Sequence, residues 1–319
     1  MKTRSMWFVI SLLLVLELAV QASAQSAVSS RSDCQLRVAT GKKGRGFSRL
    51  FHDIQSLCGQ QIPVCEVESE GGLLNTVLLS ANEADLAFVQ IDTLLELKHS
   101  DENIAALQAV LPINANLLHI IALRAGYTMS GERSLTSLFM RDDKTLVVSK
   151  LSQLKGLPVA VVGSAQLLGR KLDGAYNLGL RFVDAASDEQ AVAALKSGEV
   201  AAVLTMSGWP NAALDGLARD AGIVLATFDL PAQAPYQLVH KNYPKLGVFN
   251  QTFLAAPNLL VTRPFKADGM RGRQVATLQR CIVSQLDALR EGAFEPGWKE
   301  LKSATETYGW PRFAPGAER

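Results

Sequence analysis

Leu79-Ser80-Ala81-Asn82-Glu83-Ala84-Asp85 runs into Leu86-Ala87-Phe88-Val89, and Leu195-Lys196-Ser197-Gly198-Glu199-Val200-Ala201 runs into Ala202-Val203-Leu204. Both stretches read as the end of a helix, a helix-stopping Asn or Gly, and then a buried strand. Each follows an earlier strand that opens into a glycine-containing turn, Leu36–Gly41 in the first case and Val159–Gly163 in the second. Two similar α/β units in tandem predict a bilobed molecule with a ligand cleft between its lobes.

Outward from these anchors, strands alternate with helices, the pattern of βαβ units and a mostly parallel sheet. Phe47, Leu50, Phe51, Ile54 and Leu57 stand at helical spacing after the first turn. Val64–Val67 reads as a second strand, Leu73–Leu79 as a helix, and both Ile104–Leu111 and Leu117–Leu123 as extended. The second unit repeats this logic, with a helix over Asp188–Lys196 in which Asp188 is the expected N-cap. Pro231, Pro235, Pro244 and Pro257 argue against a long helix before a strand at Asn258–Thr262. Met270–Glu291 reads as one long amphipathic helix. We therefore expect a first lobe of residues 34–123 plus 258–319, interrupted by a second lobe of residues 124–257, with a hinge where the chain crosses.

The chain has 319 residues, 48% of them hydrophobic and 19% charged, enough to build two domains. A formal net charge of +2, without basic runs interleaved by aromatics, gives no basis for nucleic acid as a partner. Lys2 and Arg4, the apolar run Trp7–Leu16 and the small residues Ala22-Ser23-Ala24 predict a cleaved signal peptide over residues 1–24. The apolar run is short for a spanning helix, which needs about 20 residues. The mature chain is expected in the periplasm. In that oxidising setting Cys34, Cys58, Cys65 and Cys281 permit two disulfides. A bridge across the turn between Cys58 and Cys65 would leave Cys34 for Cys281; two other connectivities, and a free Cys281, stay open.

The order ATGKKGRGFSRLF, VESEGG, EADLAFVQID, LSQLKGLPVAVVGSAQ and LKSGEVAAVLTMSGWPNAAL resembles the TAXI family, the substrate-binding proteins of tripartite ATP-independent periplasmic (TRAP) transporters. The likeness covers roughly residues 34–230, and the remainder more weakly. It implies an α/β, two-lobed type 2 periplasmic-binding-protein fold. It also implies capture of a small organic acid or amino acid, of the glutamate or 2-oxoglutarate kind, for delivery to a fused TRAP membrane permease. The family's binding positions fall on Thr40, Gly41, Gly44 and Phe47, on Ser69 and Gly71, and on Gln90. In the second unit they fall on Gly163, Ser164 and Ala165, then Ser207, Trp209, Pro210 and Asn211. Lys42, Lys43, Arg45 and Phe47 replace a stretch usually richer in Gly and Thr and closed by Tyr, and Gly163-Ser164-Ala165-Gln166 stands for a Gly-Ser-Gly-Thr turn. These departures leave room for an exported relative unlinked to transport, acting as a sensor input or assembly factor.

A carboxylate ligand needs oriented donors, and helix N-termini supply backbone N–H groups with a favourable dipole. The turns at Gly41–Gly46, Ser69–Gly72 and Gly163–Gln166 each lie where a strand hands over to a helix, the edge where ligands sit in open α/β sheets. The same glycines could merely make tight turns. Arg45 can grip a carboxylate in a bidentate way, with Arg170 as an alternative; Lys42 and Lys43 read as a solvated face. Gln90 either points its amide at the cleft or is satisfied by backbone. Trp209 either walls the ligand or sits in the core. Glu68 and Glu70, two apart, read as surface or hinge residues. His52, His99, His119 and His240 show no metal-ligand spacing, and we identify no Ser/His/Asp arrangement. The reading is of a binding protein without cofactor rather than an enzyme.

Overall fold

The computed structural model describes residues 34–129 and 144–314. The expected signal peptide, and much of the connection at the start of the expected second lobe, lie outside them. In chain order the elements are β1 (Leu36–Ala39), α1 (Gly46–Cys58), β2 (Val64–Val67), α2 (Gly72–Ser80), β3 (Leu86–Gln90), α3 (Ile91–Leu97), α4 (Glu102–Ala105) and β4 (Gln108–Leu123). A short hairpin, β5 (Tyr127–Met129) with β6 (Lys144–Leu146), follows. Then come β7 (Pro158–Val162), α5 (Ala165–Tyr176), β8 (Arg181–Ala185), α6 (Asp188–Ser197), β9 (Ala202–Ser207), α7 (Ala212–Asp215) and β10 (Ile223–Ala226). The chain ends with β11 (Gln237–Tyr243), β12 (Val248–Thr262), α8 (Met270–Ser284) and α9 (Leu286–Glu291).

The duplicated pattern forms as read. Asn82 (φ 61°) ends the turn after α2, and Gly198 (φ 77°) is the left-handed C-cap of α6. Ser187, not Asp188, is the N-cap of α6; its hydroxyl accepts the Gln190 N–H. The expected long helix over 270–291 is broken at Gln285 into α8 and α9.

One ten-stranded mixed sheet joins both lobes, in the order β2-β1-β3-β12-β4-β9-β7-β8, with β10 on β4 and β11 on β12. Its two central strands are the longest. What reads in sequence as two extended pieces, 104–111 and 117–123, is the single 16-residue β4 after the helical turn α4. The expected strand at 258–262 is the end of the 15-residue β12. Leu111 and Gln108 of β4 pair with Leu260 and Thr262 of β12 in the first lobe. Leu117–Ile121 of the same strand pair with Ser207–Val203 of β9 in the second. The chain therefore crosses within β4, upstream of the boundary at residue 123. At the crossing the β4–β12 register shifts between Pro257 and Leu259, where a proline without an N–H cannot continue the ladder.

Each lobe has its own apolar layers. In the first, α1 and α8 cover one face of the sheet with Leu50, Phe51, Ile54, Val275 and Ile282, and Trp298 and Phe313 of the tail join them. Trp310 closes the opposite face near Val89 and Leu107. In the second, α5 packs Leu168 and Leu172 onto Val159 and Leu204, while α6 packs Ala191 and Leu195 behind Val203.

The disulfides are Cys34–Cys65 and Cys58–Cys281, not the pairing across the 58–65 turn. Parallel pairing of β1 with β2 sets Leu36 opposite Val64 and so brings Cys34 beside Cys65. Packing of α1 on α8 brings Cys58 to Cys281, with Cα atoms 5.9 Å apart. The second bridge spans 223 residues and ties the two halves of the first lobe around the whole of the second. Cross-links of long loops constrain the unfolded chain most. Replacing both Cys58 and Cys281 by Ser should lower the unfolding free energy by about 5 kcal/mol, read by urea denaturation against the parent chain.

Candidate ligand-binding site

A cleft of about 570 Å³ lies between the lobes, within the size range of small-molecule sites. Its first-lobe wall is Gly41, Arg45, Phe47, Gly71 and Gly72, with Leu73, Leu74 and Val77 of α2 beside them; Gln90 and Asn116 lie near the crossing strands. The second-lobe wall is Gly163, Ser164 and Gln166, then Ser187–Glu189, and Thr205–Gly208 at the end of β9. Apart from Asn116 within β4 and the α2 side chains, these positions lie at the C-terminal ends of β1, β2, β3, β7, β8 and β9, where successive strands hand over to helices.

Four helix N-termini face this space. The α6 terminus is already occupied: Ser187 caps it, and Asp188 and Glu189 stand in its first turn. Its own backbone amide, then the Ser187 hydroxyl, hold the Glu189 carboxyl below the usual range. By contrast α1, α2 and α5 have no acidic residue in the first turn and no side-chain cap. The first backbone bond of α1 runs from Arg49 N–H to Arg45 C=O, and that of α2 from Asn75 N–H to Gly71 C=O. The amides of Gly46, Phe47 and Ser48, and of Gly72, Leu73 and Leu74, precede those bonds and have no acceptor among the described residues. Gly71 (φ 120°) and Gly163 (φ 56°) have backbone conformations that a side chain would strain.

The mouth carries opposed charges. Arg45 reaches across the cleft to Asp188 at 3.1 Å, an exposed pair that joins the lobes. Lys42 meets Glu70 at 2.9 Å, and this hydrogen bond raises the Lys42 pKa. Deeper in, the groups are neutral. Gln90 is 1% exposed. Its Oε1 accepts from Ser164 Oγ of the other lobe at 2.6 Å and from Asn116 Nδ2 at 3.3 Å. Its Nε2 has no partner among the described residues. Asn116 in turn accepts from Asn258 at the crossing, 3.1 Å away.

Behind Ser207 lies a second polar cluster. His119 on β4, wholly buried, contacts Ser207 Oγ through Nδ1 at 3.2 Å and Tyr243 Oη through Nε2 at 2.7 Å. Asn211 donates Nδ2 to Ser207 Oγ at 2.9 Å and its backbone N–H to Tyr243 Oη at 3.0 Å. Burial pushes the His119 pKa down to about 4 and the Tyr243 phenol up to about 12, so both are neutral near pH 7.

Eight of the positions singled out in the sequence line the cleft: Gly41, Arg45, Phe47, Gly71, Gln90, Gly163, Ser164 and Ser207. Others do not. Thr40 is buried and donates its hydroxyl to Glu66 at 2.8 Å. Ser69 braces its turn, accepting the Gly71 N–H at 2.9 Å and donating to Asn75 Oδ1 at 2.6 Å. Gly44 is a left-handed turn residue outside the lining, and Ala165 sits in the core. Trp209 donates Nε1 to Asn242 C=O at 3.2 Å, with Lys241 Nζ 4.3 Å above its ring. Pro210 follows it through a cis peptide, and Asn211 caps α7 through Oδ1. Arg170 grips Asp184 on the outer surface instead. Glu68 and Glu70 fall after β2, and Glu70 lines the mouth. Of the other lining residues, Asn116 and Thr205 lie within strands, and Asp188 and Glu189 follow a helix cap; none carries a sequence signal for that role.

No family model matches the chain, and no curated protein matches it either. Solved structures do. An ancestral arginine-binding protein bound to arginine is similar at 13% identity and a TM-score of 0.50, over 84% of this chain and 98% of that one. Tv2483 bound to L-arginine is similar at 13% identity and a TM-score of 0.51, over 83% and 91%. An amino acid ABC transporter substrate-binding protein, AbpA, from Streptococcus pneumoniae, bound to L-arginine, is similar at 10% identity and a TM-score of 0.51, over 86% and 98%. At these identities the likeness shows the fold: this chain has the two-lobed α/β periplasmic-binding-protein architecture.

The buried imidazole has a stability signature. A histidine whose folded pKa lies below its unfolded value binds fewer protons in the native state, so stability falls as pH drops through the unfolded pKa and levels below the folded one. Between pH 6.5 and about 4, His119 should account for a loss of roughly 3 kcal/mol. Asp92, whose pKa burial raises, acts in the opposite direction. Comparing urea denaturation of the parent and His119→Gln at pH 7 and pH 4.5 isolates the His119 part as a flatter pH dependence in the variant.

Proposed function

We propose that this chain is an exported solute-binding protein whose lobes close on a small organic acid or amino acid and present it to a TRAP-type membrane permease. The observation that carries this is the convergence of three acid-free, uncapped helix N-termini on one interlobe cleft, beside Gln90 Nε2, which has no partner among the described residues. Such an array stabilises a carboxylate with donors already in place. The disulfides and the leader-like N-terminus support export. The order of motifs in the sequence supports the permease. The similar structures, which hold arginine, support an amino acid.

The charge inventory narrows the class. Lys42 and Arg45 are both engaged by carboxylates, and Glu189 is a third acid at the mouth. A dicarboxylate would have to displace Asp188 from Arg45. An α-amino acid can set its carboxylate against the helix termini and its ammonium toward Asp188 and Glu189. Closure is then a population shift bounded by the difference in affinity between open and closed forms.

A thermal-shift and calorimetric screen of L-glutamate, L-arginine, other amino acids and 2-oxoglutarate tests the reading. At a hundred times the dissociation constant, a true ligand adds about 2.7 kcal/mol of stability. An amino acid should raise the midpoint more than 2-oxoglutarate; no shift with any of them would refute solute capture.

A further inference from the structure

The polar chain behind Ser207 has only one self-consistent proton order. It starts from a donor of known direction, the Asn211 backbone N–H, which Tyr243 Oη accepts at 3.0 Å. Tyr243 is 1% exposed, and its hydroxyl has one other partner among the described residues, His119 Nε2. Were the imidazole proton on Nε2, the phenolic proton would be left buried without an acceptor, an uncompensated cost. Nε2 therefore accepts, and the neutral ring carries its proton on Nδ1; the burial that pushes the His119 pKa down to about 4 agrees with a neutral ring.

Nδ1–H then faces Ser207 Oγ, and the Leu117 carbonyl is a further acceptor beside the ring. The second lone pair of that oxygen takes Asn211 Nδ2–H. The Asn211 amide cannot be reversed, because its Oδ1 already accepts the backbone amides of Ala213 and Leu214 at 3.0 and 3.2 Å. With both lone pairs used, Ser207 has one proton left to place and one open direction, the cleft that it lines.

We infer that Ser207 is a hydrogen-bond donor of fixed direction into the cleft, aimed by His119 and Tyr243 as positioning residues, so that the solute presents an acceptor oxygen at this wall. A donor-only group such as an ammonium finds no lone pair there. An amino acid would accordingly place a carboxylate or carbonyl oxygen at Ser207 and turn its ammonium toward the acidic mouth. The ligand half of this inference rests on the solute-binding reading above; the proton order does not.

Long-range proton–nitrogen NMR on histidine-labelled protein reads the His119 tautomer with no ligand added. Protonated Nδ1 with bare Nε2 at pH 7 is expected; protonated Nε2, or an imidazolium, would overturn the inference. Tyr243→Phe should give a mixture of both tautomers, and a pure Nδ1–H form in that variant would remove Tyr243 as the aiming group. Calorimetry then compares parent and Ser207→Ala with L-glutamate and L-arginine as probes. A loss of at least about tenfold in affinity is expected for any probe the parent binds, and an unchanged affinity would overturn the donor role. If the parent binds neither probe, capture of these two amino acids fails, while the tautomer still decides the proton order.

Discussion

Two strands that belong to both lobes constrain everything else in this molecule. β4 and β12 are hydrogen-bonded to each other on both sides of the crossing, and each also carries the inner strands of a lobe. The lobes can therefore change their angle only by bending or twisting these two strands. Near the bend, Pro257 interrupts the ladder, and Asn114, Asn116 and Asn258 hydrogen-bond through their side chains close by. Buried amides are costly unless paired, so this cluster favours a limited set of hinge geometries. Gln90, opposite Asn258 on β3, links the cluster to Ser164 of the other lobe. The hinge and the floor of the cleft are one hydrogen-bonded unit.

Much of this was legible in the chain, for local reasons. Helix ends at Asn82 and Gly198 were readable because only a few residue types tolerate the left-handed conformation found there. The cleft-facing turns were readable because glycines follow strands, and the resemblance of the ordered motifs supplied the two-lobed fold. What was missed depends on distant packing. The continuity of β4 was hidden by Pro112, Asn114 and Asn116, residues that read as a break yet are held by partners on β3 and β12. The disulfide pairing follows from which strands and helices are neighbours, which four cysteine positions do not encode. Thr40 and Ser69 have the residue types of ligand contacts but spend their hydroxyls on bracing turns. His119, Ser207 and Tyr243 are far apart in sequence and meet because β4 pairs with β9 while β12 brings β11 alongside.

The distribution of charge across the cleft follows from solvent access. Full charges stand at the mouth, where Arg45 and Asp188 are 47% and 40% exposed and keep much of their hydration. At that exposure a pair contributes little to stability, so it can open and close with the lobes at small cost. Near the crossing and behind the second-lobe wall, Gln90, Asn116, Ser164, Ser207 and neutral His119 do the polar work. An unpaired ion there would be desolvated each time the cleft closed without a ligand, a penalty of several kcal/mol. Neutral dipoles held by a second layer of hydrogen bonds avoid that penalty and still offer oriented donors. Fixing a donor with buried partners that never leave the second lobe also means that its direction need not be remade at each closure. The arrangement thus separates two tasks: weak, exposed ion pairs that bias how the lobes meet, and buried neutral groups that, under the proposed solute capture, would select which atoms of a guest fit.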